Sequence, residues 1–387
     1  MFYDFPVIKT IDDVLPHIEG RKEFLVMDKG EYTTITYAVA FEDTFKWNND
    51  DPLGSATRRE CRGLIFNQKG ELISRPFHKF FNAGEKEETQ IDKINLYEPH
   101  HITQKIDGSL IRFLNLNGEI YAATKSGVTD ISQQVDEFLK DKSNYYEFIQ
   151  STLESGLTAC FEWCSRKNRI VIDYSVDSLI LTAIRNNTSG NYLLYENIVE
   201  LANHFNIPVV KSVSNLAKQN IHLLVEQVRE FQNDEGIVLT FNSGHKIKIK
   251  AEDYVLRHKS KDQISQEKNV LAVILNESVD DVVPLLTPED AERLRQFEEA
   301  FWISVDEVAS EMAVLFVSGN TLYPDKKDFA VEFVQKKILP IHAPIMYQMK
   351  AGKGSKEVLV NLISKSLSSQ TKIDQNRWMF NWIRWNG

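Results

Sequence analysis

Lys105 stands in the run Gln104-Lys-Ile-Asp-Gly-Ser109, immediately ahead of a stretch with hairpin character. A single lysine at a strand–turn junction is ordinarily a solvated charge. The rest of the sequence gives it more to do. A primary amine becomes a nucleophile once deprotonated, and neighbouring cations or burial lower its pKa from about 10.4 towards neutrality. Lys246, Lys248 and Lys250 alternate with Ile247 and Ile249, so in a strand the lysines share one face. A cationic face opposite an apolar one suits a phosphate group on one side and a core on the other. Lysines guarding an exposed sheet edge are the alternative.

The elements that must position these residues fall into two stretches. Up to about residue 250, short β runs alternate with Asn/Gly turns. Hairpins are predicted from Gly63 to Ile73, from Ser109 to Lys125 around Asn117-Gly118, and from Ile237 to Lys250 around Asn242-Ser-Gly. Helical spacing of apolar residues marks 134–154, 196–204 and 222–231. Alternating β-α-β units are missing, so the expected class is α+β, with antiparallel sheets and packed helices. After about Ser260 the pattern turns helical. Thr287-Pro-Glu-Asp is a strong helix start, with an amphipathic run to about Phe316, and further helices are expected over 328–337 and 357–368. The expected domains are 1–258 and an all-helical 259–387.

Composition narrows the function. At 387 residues the chain has room for two or three domains. No apolar run approaches the roughly 18 residues of a membrane span. The opening Met1-Phe-Tyr-Asp-Phe-Pro-Val lacks the basic-then-apolar pattern of a secretory leader. Three cysteines, Cys61, Cys160 and Cys164, fit a reducing compartment, and with no second Cys or His pair to complete a metal site they are expected to be buried thiols. The net charge of −10 does not exclude a polyanionic partner. Residues 271–312 hold eleven acids against two arginines, nine of the ten net negative charges, whereas 245–261 and 350–387 are locally basic. Ala351-Gly-Lys-Gly-Ser-Lys356 lacks the spacing of a phosphate loop and reads as a flexible connection. Arg377-Trp-Met-Phe-Asn-Trp-Ile-Arg-Trp385 could stack bases or tie down the terminus by burying tryptophans.

Five motifs in order resemble those of the covalent nucleotidyltransferases, the superfamily of ligases and capping enzymes. Lys105-Ile-Asp107-Gly108 matches the nucleophile motif, and Phe161-Glu162-Trp163 the motif whose glutamate contacts the nucleoside sugar. Leu179 to Arg185 resembles the apolar strand that follows it, Glu235-Gly236 the E-G motif, and Lys248-Ile-Lys250 the terminal K-x-K. K-x-D-G alone would be weak, but five motifs over about 150 residues are specific. Upstream, Glu60-Cys-Arg62-Gly63 and Ser74-Arg-Pro-Phe-His-Lys79-Phe-Phe81-Asn82 resemble the phage RNA ligase 1 family, as does Asn168 to Tyr174. The resemblance covers residues 30–282.

That resemblance implies an ATP-dependent RNA ligase. Lys105 would carry AMP, with Glu162, Glu235 and Tyr254 as further catalytic residues. Tyr37, Arg62, Lys79, Phe81, Asp107, Gly108, Lys125, Glu162, Glu235, Lys248 and Lys250 would hold ATP. The chemistry fits: the cations suit a triphosphate, and the two glutamates suit ribose hydroxyls or water-bridged Mg²⁺. Phe81 could equally be a core aromatic. Asp280 is a candidate metal ligand. The partner would be RNA with 5′-phosphate and 3′-OH ends, such as a cleaved tRNA, handled by a monomer in the cytoplasm of a phage-infected cell. A DNA ligase or capping guanylyltransferase would share these motifs, but both append an OB-fold, whereas the region after 260 reads helical. A non-catalytic RNA-binding relative would not need the intact lysine, both glutamates and K-x-K.

Overall fold

The structure is a computed structural model that describes residues 5–41, 43–216 and 220–386. Met1–Asp4, part of the segment read for a leader, lie outside the described residues. Two compact units form, Met1–Val255 and Leu256–Gly387. No helix among the described residues is long and apolar enough to cross a membrane.

Twelve strands occur among the described residues, all in the first unit: β1 (Phe24–Asp28), β2 (Tyr32–Tyr37), β3 (Leu64–Asn67), β4 (Leu72–Ser74), β5 (Phe81–Asn82), β6 (His100–Gln104), β7 (Ser109–Leu116), β8 (Glu119–Ala123), β9 (Leu157–Cys164), β10 (Ser178–Asn186), β11 (Gly236–Phe241) and β12 (Lys246–Lys250). They make three four-stranded sheets, ordered β1-β2-β3-β4, β10-β9-β7-β8 and β5-β12-β11-β6. Every pairing is antiparallel except β12 with the two-residue β5. The α+β class and its antiparallel sheets are thus present.

The three predicted hairpins form where turn chemistry demanded them. Asn117 and Gly118 both take positive φ, 55° and 91°, the type I′ geometry that suits strand twist. The helix predicted over 134–154 is instead two, Asp130–Leu139 and Ser143–Glu154. The polar run Lys140-Asp-Lys142 between them has no apolar residue to keep on the core face, and Lys142 Nζ caps the first helix by donating to Phe138 O at 2.9 Å. Both helices pack through Val135, Leu139, Phe148 and Ile149 on the β10-β9-β7-β8 sheet. Helix Ile221–Arg229 covers the third sheet through Leu224, Val225 and Val228.

The second unit is helical among its described residues. Thr287 caps a helix that runs on to Leu322, beyond the expected Phe316, its hydroxyl accepting from Asp290 N. Gly319 lets it continue under Phe333, because a Cβ there would sit 2.1 Å from that ring. The 328–337 helix is largely a π-helical stretch, Phe329–Val334. The terminal aromatic segment is tied down: Trp385 Nε1 donates to Ile264 O at 2.7 Å, and Arg377 is buried against Glu267 at 2.6 Å. All three cysteines are buried free thiols.

One buried charge cluster joins the parts of the first unit. Glu60, at the end of helix Pro52–Glu60, takes Arg185 of β10 through both oxygens at 2.7 Å and Arg75 at 3.1 Å, all three side chains fully buried. Burial alone would push the Glu60 carboxyl up, but the two guanidinium groups hold it at about 2. Arg75 also donates to Pro6 O, Asn187 O and Thr188 O. Removing the carboxylate leaves two buried cations uncompensated. Glu60→Gln should therefore lower unfolding stability by about 3–5 kcal/mol. Denaturant titration checks this, and an unchanged midpoint would show that the arginines are satisfied without it.

Candidate active site

The site lies in a cavity of about 620 Å³ in the first unit, lined by residues of all three sheets and of the segment ahead of β5. Lys105 leaves the end of β6, its backbone N–H donating to Gly236 O at 2.8 Å. Its Nζ lies 2.7 Å from Glu235 Oε2, and Lys250 Nζ lies 3.1 Å from Oε1 of the same carboxylate. Glu235 is buried, so one carboxylate in a dry setting fixes two ammonium groups.

The glycines of both motifs are required by close approach. Gly236 has φ 132°, and a Cβ there would fall 2.1 Å from Ile249 O. A Cβ on Gly108 would fall 2.5 Å from Trp163 O and 3.0 Å from Glu162 Cγ. Without side chains, the turn that follows Lys105 packs directly on β9, where Leu110 pairs with Glu162. Glu162 thereby lines the cavity. Burial pushes its carboxyl up to about 7; Lys105 opposes that rise, and Glu235 and Asp107 add to it.

β12 behaves as its alternation predicts. Ile247 and Ile249 are in the core, and Lys246, Lys248 and Lys250 line the cavity. The strand is flanked by β11 and β5, so its lysines are not guarding an open edge. Burial, reinforced by Lys79 and Lys105, lowers the Lys248 ammonium to about 7.

A second group of cations gathers around Tyr37: Arg62 and Lys79 line the cavity, whereas Lys125 stands behind Tyr37 and does not. Lys79 lies 5.6 Å from the Tyr37 ring centre; Lys125 lies 4.2 Å from it and donates to Tyr37 O at 3.2 Å. Burial would raise the Tyr37 hydroxyl, but Lys79, Arg62 and Lys125 together bring it below its ordinary value. Burial lowers the Lys125 ammonium. Arg62 Nη1 is buried with no hydrogen-bond partner in the protein. Such a donor is costly until an acceptor reaches it, and a phosphate oxygen in this cavity would satisfy it.

Other predicted residues sit differently. Asp107 does not line the cavity: Oδ2 accepts from Val171 N and Ile172 N at 2.8 Å, and Oδ1 from the Tyr254 hydroxyl at 2.7 Å. Asp107 N–H donates to Tyr174 Oη at 3.1 Å. Tyr254 is buried with its hydroxyl on Asp107 and Lys250 5.0 Å from its ring centre, which makes it a brace of the lysine site in this geometry. Phe81 belongs to the apolar core with Phe45 and Leu64; its neighbour Phe80 lines the cavity, with Lys248 5.3 Å from its ring centre. No alternation along 77–81 signals this, because Phe77, Lys79 and Phe80 all line the cavity while Phe81 turns into the core. Tyr192, also on the wall, lay in a stretch with no motif.

Asp280 is an exposed residue of the second unit, close enough to Glu298 to help raise that carboxyl, though burial is the larger cause. Among the described residues no three His, Cys, Asp or Glu side chains gather to hold an ion by themselves. Glu162 and Glu196 are the carboxylates among the cavity's lining residues, and Glu162 is the one whose charge Lys105 opposes. That suits an ion drawing most of its oxygens from water and substrate phosphates.

A family model described as RNA ligase matches residues 60–264. Over 290 residues the chain is 30% identical to a "Putative RNA ligase" of Thermovibrio ammonificans, covering 72% of each. It is 27% identical over 283 residues to a "Putative bifunctional polynucleotide kinase/RNA ligase" of Autographa californica nuclear polyhedrosis virus, covering 66% of this chain and 38% of that one. RNA ligase 1 of Bacteriophage TS2126 is 24% identical over 246 residues, covering 60% of this chain and 58% of its own.

Asp107 and the loop 165–174 form one hydrogen-bonded unit. Asp107→Ala should strip three donors of their acceptor, loosening the loop by about 1–3 kcal/mol for each donor left buried. Amide hydrogen exchange at Val171 and Ile172 should accelerate sharply, and unaltered exchange there would dissolve the link.

Proposed function

The chain belongs to the RNA ligase family, and on that premise we propose that Lys105 is the nucleophile of an ATP-dependent ligase joining RNA 5′-phosphate and 3′-OH ends. The observation that carries this reading is the cavity itself: an amine held by Glu235 beside Lys248 and Lys250, facing a buried Arg62 N–H that no protein group satisfies. In the first step Lys105 Nζ gives its proton to the carboxylate it touches and attacks the α-phosphorus of ATP. A P–N bond forms, the P–O bond to the leaving phosphate breaks, and pyrophosphate departs. In the second step an RNA 5′-phosphate oxygen takes the AMP and Lys105 is released. In the third the RNA 3′-OH attacks that activated phosphorus, forming the phosphodiester and expelling AMP.

Arg62, Lys79, Lys125 and Tyr37 supply the contacts for the outer phosphates, and Lys248 and Lys250 those for the phosphate that reacts. Glu162 is the carboxylate placed to hold magnesium, whose contribution when bound is to offset charge on the phosphates. Asp107, Gly108 and Tyr254 shape the turn that presents the lysine. The helical unit would select among RNA ends, with breaks such as those in tRNA and a phage setting as the extension of the resemblance. A DNA ligase or capping enzyme is the lesser reading, because all described strands lie before residue 251 and none remains for an OB-fold.

Lys105→Ala should abolish covalent labelling from radioactive ATP while sealing of pre-adenylylated RNA survives. Labelling of that variant at wild-type level would remove the assignment.

A pH dependence follows from Lys248 and Glu162, both near 7. In magnesium-free binding, the lysine below 7 is charged and the carboxyl neutral, which favours a polyanion, and above 7 both changes oppose it. ATP affinity should therefore weaken as pH rises from 6 to 8. In Lys248→Arg, charged throughout, part of that loss should disappear. Binding titrations across this range check it, and identical pH profiles would show that Lys248 keeps one charge state.

A further inference from the structure

Lys246 is a cavity lysine that the proposed reaction leaves unused. It is 5% exposed and lines the wall two positions along β12 from Lys248. Its Nζ donates to Thr240 Oγ1 at 3.0 Å and lies 4.5 Å from the Tyr192 ring centre and 5.6 Å from that of Phe77. Among the described residues no carboxylate pairs with it. Burial pushes its ammonium down to about 7, with Arg185 acting in the same direction. A buried cation without a counter-ion opposes folding unless something else completes its hydrogen bonds.

Strand register shows where along the cavity this lysine sits. Lys250 pairs with Gly236, Lys248 with Val238 and Lys246 with Thr240; across β11, Val238 pairs with Thr103 and Thr240 with His101. The wall therefore has tiers. Lys105 and Lys250 stand at one end, and Lys246, Thr240 and His101 about 13 Å away at the other. The first end continues into Arg62 and Lys79. The far end is aromatic: Tyr195 stacks on His101 at 3.8 Å, and Phe77, Tyr192 and Phe241 line the same stretch. A nucleotide is polyanionic at one end and flat and aromatic at the other, so it matches this cavity in one direction. With its α-phosphate at Lys105 and its outer phosphates drawn to Arg62, the base is the part that reaches the aromatic tier.

We propose that Lys246 reads the base of the bound nucleotide, its ammonium donating to an unprotonated ring nitrogen of a purine packed among Phe77, Tyr192 and Tyr195. The proposal rests on the reading that ATP reacts at Lys105. Thr240 accepts one ammonium proton and so directs the other two. Adenine presents an acceptor nitrogen on its pairing edge where guanine presents N–H, so a donor at this place favours adenine and leaves guanine with two opposed donors.

The test measures kcat/KM for self-adenylylation with ATP, GTP and ATP analogues in which one ring nitrogen at a time is replaced by C–H. In the wild type, one analogue should fall roughly tenfold or more below ATP, the scale of a lost hydrogen bond to a charged group. Lys246→Met should lose about as much with ATP, cease to distinguish ATP from that analogue, and narrow the ATP-to-GTP ratio. Its melting temperature should stay level or rise, because an apolar chain of similar length replaces an unpaired ammonium. Lys246→Gln, which keeps a donor, should recover part of the discrimination. All analogues within twofold of ATP in the wild type, or wild-type selectivity in both variants, would overturn the proposal. Either result still yields labelled protein, whereas failure of the nucleotidyl reading would yield none.

Discussion

Glu235 is the constraint around which the first unit is arranged. A buried carboxylate must be compensated, and here two ammonium groups from different chain segments do it, one oxygen each. Lys105 comes from the end of β6 and Lys250 from the end of β12, so the pairing draws both strands' ends to one point. The backbone repeats the link: Lys105 N–H reaches Gly236 O, and Ala251 N–H reaches Glu235 O. A side chain at residue 236 would drive these strands apart. The motif glycine and the motif acid therefore serve one geometric purpose.

Beyond that pair, the cavity is built with more positive charge than its acids balance. Arg62, Lys79, Lys246 and Lys248 line it, and Glu162 is held at about 7. Such an arrangement is unfavourable for the empty protein and favourable for a polyanionic ligand, the usual relation between strain at a site and the job it does. The overall charge of −10 conceals this, because the acids are concentrated in 271–312. Local geometry outweighs the average.

The scaffold tolerates that excess through Glu60 and Asp107, two other buried carboxylates. Glu60 clamps Arg75 and Arg185 and thereby anchors the turn that presents Arg62, two residues on. Asp107 gathers two loop amides and the Tyr254 hydroxyl, so the chain just after Lys105 is tied to the loop 165–174. In each case a buried acid holds the scaffold beside a cavity residue without lining the cavity itself.

How much of this was legible depended on the range of the interaction. The lysine ladder of β12 and the Asn117-Gly118 hairpin follow from the two-residue pleat and from turn sterics, which act between near neighbours. The order of five motifs, with the upstream segments around Arg62 and Lys79, supplied the other candidates for the site. What neighbours along the chain could not supply was which face met which partner. Phe81 and Phe80 are adjacent and chemically identical, yet one is core and the other cavity wall, because only the docking of β5 on β12 decides which way each ring turns. Asp107 sits inside a nucleophile motif, yet its oxygens go to residues 171, 172 and 254, donors brought up by folding from far along the chain. The 134–154 helix broke because a polar triplet there had nothing to bury, which becomes a constraint only once the sheet beneath is in place. Lys246 reads in sequence as one more rung of the ladder. Its isolation from every described carboxylate and its aromatic surroundings arise from the packing of the segment around Phe77 and of Tyr192 against β12. Residue identity and spacing determined the chemistry on offer, and long-range packing decided which groups were left free to perform it.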